Sequence, residues 1–265
     1  QGLPYYLFAI IFGFFFAGKI RSSEVISIPD KIQAVYGRTA ALVSSVLIFI
    51  LVSPAPYMLM TGYIVSLIFQ IPVWTGMMLT AVVTAAYIIA GGYKADVFTD
   101  VFEFFVMFAG FIVIVVVSYN MYGGFDYLQA NLPATHLEFT GGASPGFLIV
   151  WFLIALWTFA DPGFHQRCSA AKSKGIAVKG ILVSVVFWAL FDFLTTSAGL
   201  HARASIPVLD NSVLSYPLYA EKILAPGLKG IFYAGMLATI LSTLNSFLFL
   251  SGMTYGRDIL GRMKN

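Results

Sequence analysis

Long apolar runs separated by short polar segments set the pattern of this chain. A helix needs roughly 20 predominantly apolar residues to cross the hydrocarbon core of a bilayer. On that measure the pattern predicts seven spans, at about 3–18, 40–69, 71–90, 97–119, 146–164, 176–200 and 227–254. The first is short. The second is long, and Pro54 and Pro56 should kink it, because each removes a helical N–H and clashes with the preceding turn. The chain opens at Gln1 without a methionine and reaches an apolar run by Leu3, which suggests a piece of a longer protein, truncated at both ends.

Composition fixes the solvent. Hydrophobic residues make up 59% of the 265 and charged residues only 10%, against about a quarter charged in soluble domains. Mean hydropathy is +0.88. Such a chain cannot cover its apolar surface with polar groups in water, so the lipid bilayer is its partner. The single cysteine, Cys168, excludes an intramolecular disulfide and offers no CxxC pair.

The net charge of +3 matters less than its distribution. Lys19, Arg21, Lys31 and Arg38, then Lys94, then Arg167, Lys172, Lys174 and Lys179, then Arg257, Arg262 and Lys264 fall in alternate loops, 12 of the 15 basic residues. Arg203, Lys222 and Lys229 lie in or beside the one other basic segment, about 201–226. Short loops rich in Lys and Arg stay cytoplasmic. The N-terminus is therefore expected outside a cell membrane and the C-terminus inside, with the 120–145 and 201–226 segments facing out.

Polar residues inside the spans need a reason. In "LATILSTLNSFLFLSG" (237–252), Thr239, Ser242, Thr243 and Ser246 recur at i, i+3, i+4 and i+7, one stripe of a helix, with Gly235 one turn further out and Asn245 beside it. Small residues that let helices approach, with hydroxyls bonded back to i−4 carbonyls, would explain the stripe as packing. An oxygen-lined site for a hard cation would explain it as function. Composition does not separate the two. Asp192, in "FWALFDFLTTSAG", lies within the sixth span, where an ionisable group is a functional candidate by default; its structural explanation is a hydrogen-bonded acid with Thr195 and Thr196 as local partners. Asp100 at the start of the fourth span suits the helix dipole, with Asp96 as the cap. Asp161 opens "DPGFHQR", where Pro162 and Gly163 predict a helix-ending turn.

Four stretches together resemble the sodium:solute symporter family. They are "GGYKADVFTDVFEFF" (91–105), "QRCSAAKS" (166–173), "SIPDKIQAVYG" (27–37) and "ATILSTLNSFLFLSGMTYGRDI" (238–259), where Asp258 follows Thr243 by fifteen positions. Tyr93 and Glu103 depart from the commonest residues of the first. The resemblance implies an all-α, polytopic core of two inverted five-helix repeats, of which this chain, a single transmembrane transporter domain, holds helices two through eight. It implies that Ser242 and Thr243 bind sodium, with the Thr239 carbonyl as a further ligand. Asp100, Asn245 and Ser246, with Ser242, correspond to a second sodium site or release path, Asn245 standing where a hydroxyl is usual. Trp157 falls at an inner gate facing the solute, with Thr158 beside it.

The function implied is sodium-coupled symport of a small organic solute (a sugar, amino acid or carboxylate) by alternating access, without a covalent step. Sodium serves as coupling ion, with no cofactor and no nucleic-acid partner. A proton-coupled carrier using Asp192 is the main alternative. A membrane-embedded enzyme is another, against which stand the lack of HExxH and GxGD motifs and only three scattered histidines, His136, His165 and His201; a sensor is a further one.

Overall fold

The structure is a computed structural model that describes residues 2–23, 25–209 and 211–264. Among these there is no strand, and six helical stretches are long and apolar enough to cross a membrane: Gly2–Ser22, Ile28–Phe69, Val73–Tyr122, Pro145–Ala170, Lys174–Ser205 and Pro226–Lys264. The expected spans at 71–90 and 97–119 both fall within Val73–Tyr122, where the helical path breaks at Gly92 (φ 57°, ψ −148°). That φ belongs to the region only glycine adopts without strain, so Gly92 interrupts the helical path without a separate loop.

Local chemistry explains the other breaks. The helix Ile28–Leu51 begins on a capping box: Ser27 Oγ accepts from the Asp30 N–H, and the Asp30 carboxylate accepts from the Ser27 N–H at 3.2 Å. Pro29 sits in its first turn, where no N–H is needed. Gly37 (φ 83°) divides this helix into a short leading segment and the span proper. The helix stops at Leu51, and Pro54 caps the next one, Ala55–Phe69, with Pro56 in its first turn. The two prolines therefore end one helix and start another, a stronger effect than a kink. Asp161 caps Pro162–Ala170, its Oδ1 accepting from the Phe164 N–H at 3.0 Å.

The chain packs as two units. One comprises Gln1–Val97, Ile149–Trp188 and Thr243–Asn265; the other comprises Phe98–Leu148 and Ala189–Ser242. In the first, Phe12 is fully buried with Cys168, Ala177 and Ile181, and its ring lies 5.4 Å from Phe164. Tyr6 meets Trp188 edge-on at 5.4 Å. A second apolar knot joins Ile48, Val52 and Leu250. In the second unit, Phe111 lies 5.1 Å from Phe191 and 5.4 Å from Phe232. A Cβ placed on Gly235 would stand 2.9 Å from the Gly110 Cα. Lipid tails are as apolar as these side chains, so close packing and hydrogen bonding hold such helices together, and small residues allow it.

Contacts also sort the loops. In the first unit, Ser169 Oγ donates to the Val25 carbonyl at 3.3 Å, and Arg257 and Arg262 reach Asp30, so three of the four Lys/Arg-rich segments meet. In the second unit, His201 Nε2 lies 3.1 Å from the Gly123 carbonyl, and Tyr219 donates to Ser118 Oγ at 2.7 Å. The two segments expected to share the other face thus also meet each other.

Candidate functional site

The helix Pro226–Met253 carries the whole polar stripe and is α-helical along its length. The division between the two units falls between Ser242 and Thr243, so each half is described in its own unit. At its Gly235 end, in the second unit, Thr239 Oγ1 donates to the Gly235 carbonyl at 2.8 Å, and Ser242 Oγ donates to the Thr239 carbonyl at 3.4 Å. The first is a full i−4 back-bond and the second a long one, which leaves Ser242 readily available to another partner. Together with the Gly235–Gly110 approach, this end of the stripe does serve helix packing.

Thr239, Ser242 and Thr243 are half-buried, whereas Asn245 and Ser246 are buried. In the first unit, the Tyr87 hydroxyl donates to Asn245 Oδ1, and Arg167 Nη2 donates to Ser246 Oγ at 2.9 Å. Sequence reading missed both partners. Tyr87 looks like an ordinary span aromatic, and Arg167 looks like a loop cation.

Asp100 lies in the second unit, in the second turn after the Gly92 break, and is half-buried. Asp192 is half-buried in Lys174–Ser205. Of its two expected partners, Thr195 donates to the Asp192 backbone carbonyl at 3.1 Å. In the first unit Trp157 and Thr158 lie on a 3₁₀ turn, Leu156–Phe159, that ends the Pro145–Ala155 helix. Thr158 is buried. The Trp157 indole N–H donates to Asp161 Oδ2 at 3.2 Å, so the cap carboxylate also fixes the aromatic ring.

A polar cluster closes the far end of the stripe-bearing helix. After Met253 the backbone widens into a π-helix, Thr254–Leu260, a feature that often re-aims side chains. Here it turns Asp258 inward, 1% exposed. Asp258 Oδ1 accepts from Arg262 at 2.6 Å, from Arg257 at 3.1 Å and from Ser27 Oγ at 3.1 Å. The same two arginines hold Asp30, at 2.5 Å and 2.9 Å. Arg262 Nε also donates to Gln33 at 2.8 Å, and Arg38 donates to the Arg262 carbonyl. The sequence marked Asp258 only by its spacing from Thr243; the structure makes it the hub joining residues 27–38 to 257–262.

Membrane-length helices with an intramembrane run of hydroxyls define a multi-pass membrane protein. A family model described as the sodium:solute symporter family matches residues 3–264, and the chain belongs to that family. Its members are transporters and not enzymes. Among its relatives, the sodium/pantothenate symporter of Escherichia coli (strain K12) is 29% identical over 196 residues, covering 71% of this chain and 41% of the relative. The sodium/glucose cotransporter of Vibrio parahaemolyticus is 24% identical over 288 residues, 94% of this chain and 53% of the relative. The sodium/myo-inositol cotransporter 2 of Oryctolagus cuniculus is 25% identical over 223 residues, 69% of this chain and 33% of the relative. The chain thus spans about half the length of these relatives or less.

Proposed function

We propose that the protein, working as one transmembrane transporter domain, uses the inward sodium gradient to import a small organic solute by alternating access. The consecutive hydroxyls Ser242 and Thr243, half-buried within a membrane-length helix of a sodium:solute symporter family chain, carry this reading. Their oxygens, with the Thr239 carbonyl, are the sodium ligands. Neutral hydroxyl and carbonyl oxygens suit a hard monovalent cation because they bring no charge that must itself be desolvated. Sodium bound there stabilises the outward-open form and completes the solute pocket, so sodium and solute raise each other's affinity by the same factor.

The neighbouring polar residues take a different part. Arg167 donates to Ser246 Oγ. Asp100, Asn245 and Ser246 form a second sodium site or the release path. Trp157, tethered to Asp161, forms the inner gate with Thr158. The solute is a sugar, an amino acid or a carboxylate, in keeping with the pantothenate, glucose and inositol named for the relatives. The N-terminal end of the chain faces outside and the C-terminal end the cytoplasm.

Uptake by the full-length protein in proteoliposomes tests this. Labelled pantothenate, glucose, myo-inositol and proline are offered under an inward sodium gradient, an inward potassium gradient or an inward proton gradient. Accumulation of one of them with sodium alone supports the proposal. Accumulation that follows the proton gradient and ignores sodium overturns it in favour of a proton carrier using Asp192.

A further inference from the structure

Beside the Asp258 cluster, two buried acceptor oxygens remain after the hydrogen bonds of their side chains are assigned. Asp258 spends Oδ1 on Ser27, Arg257 and Arg262, while Oδ2 has no partner among the described residues. Gln166, 8% exposed, turns its amide nitrogen to Met253 Sδ at 3.8 Å, and its Oε1 likewise has no partner among the described residues. Both side chains line one small enclosed cavity, together with Ser27 and Thr254. Buried acceptors are rarely left without a donor, and each such pair of atoms asks for an explanation.

Size and charge narrow the occupant. The cavity offers about 10 Å³, the room one water-sized ligand needs. A single ligand that satisfies both acceptors must donate two protons. The Asp258 charge is already met by two guanidinium groups at 3.1 Å and 2.6 Å, so a further cation would be repelled by Arg257 and Arg262. A neutral double donor satisfies both conditions. Thr254, 2% exposed on the same wall, carries a hydroxyl that can donate to the ligand's lone pair.

We propose that this cavity is a binding site for one structural water, which donates to Asp258 Oδ2 and Gln166 Oε1. The water extends the Asp30–Arg257–Asp258–Arg262 cluster to the Pro162–Ala170 helix. It thereby joins three segments far apart in sequence: the Ser27 cap, the helix bearing Gln166, and the π-helix at the end of the stripe-bearing helix.

An experimental density map of the full-length protein, sharp enough to show ordered water, tests the site. Maps are compared in sodium and in rubidium, whose anomalous signal marks a bound monovalent cation. The proposal expects a single peak within hydrogen-bond reach of both oxygens, unchanged in rubidium and without anomalous signal. A rubidium signal at that position, or a direct contact of Gln166 with Asp258 that leaves no room for a ligand, overturns it. In Gln166→Leu the peak should vanish or lose most of its occupancy; a peak of undiminished occupancy would also overturn the bridging role.

Discussion

Replacing Asp258 by alanine removes the acceptor on which Ser27, Arg257 and Arg262 converge. Breaking a buried ion pair from one side costs about 3–5 kcal/mol when the remaining charge is stranded. Arg262, only 10% exposed, keeps Asp30 at 2.5 Å, so its charge is not stranded and the lower end applies. Arg257 is 40% exposed, and its contribution is no more than about 1 kcal/mol. The expected loss is therefore about 3 kcal/mol. At the 2–4 °C per kcal/mol typical of domains of this size, the full-length protein in detergent should melt about 6–12 °C lower. Asp258→Asn keeps an acceptor oxygen without its charge and should fall between alanine and wild type. Asp30→Ala in the Asp258→Ala background strands both arginines and should cost more than the sum of the single changes. Melting of Asp258→Ala within about 1 °C of wild type would refute the argument that this carboxylate holds residues 27–38 to 257–262.

Three further outcomes are expected. Gly235→Ala places a methyl group 2.9 Å from the Gly110 Cα and 3.1 Å from the Val106 carbonyl, and should lower thermal stability by about 1–3 kcal/mol; Gly180→Ala, whose new methyl meets nothing within 4 Å, should leave stability unchanged or raise it by up to about 1 kcal/mol. Asp161→Ala removes both the cap of Pro162–Ala170 and the anchor of Trp157, costing at least about 1 kcal/mol, most of which Asp161→Asn should restore in the same melting assay. In a Cys168→Ser background, a cysteine at the exposed position 129 should react with an impermeant maleimide on intact cells, and one at the exposed position 174 should react only after lysis; the reverse pattern would invert the proposed topology.

What the sequence revealed was what short-range patterns encode. Apolar run length marked the chain as helical and membrane-spanning, and Pro54 and Pro56, expected to kink one span, divide two helices. "DPG", expected to form a helix-ending turn, instead opens the helix Pro162–Ala170, with Asp161 as its cap. The boundary between the third and fourth expected spans was harder, since the break at Gly92 occupies no loop of its own. The partners of the polar stripe were not legible, because they arrive through tertiary packing. Arg167 is 79 positions from Ser246, Tyr87 is 158 from Asn245, and Ser27 is 231 from Asp258. No local periodicity marks such pairs. The lone intramembrane amide and the charged residues flanking the stripe were the only signals that partners had to exist, since a buried polar group requires one.

The stripe itself also divides between the two explanations that its spacing allowed. Gly235 and Thr239 serve packing and back-bonding, whereas Ser242 and Thr243 remain the residues through which the sodium proposal stands or falls. Equilibrium binding of sodium-22 to the purified full-length protein, carrying Thr243→Ser, Thr243→Ala or Thr243→Val, probes them whichever solute is carried. Losing one ligand oxygen should cost about 1–3 kcal/mol, roughly 5- to 150-fold in sodium affinity. Thr243→Ala and Thr243→Val should both show that loss, because valine keeps the shape and not the oxygen, while Thr243→Ser should stay within about threefold of wild type. Wild-type sodium affinity in Thr243→Val would make Thr243 a packing residue and contradict the sodium site.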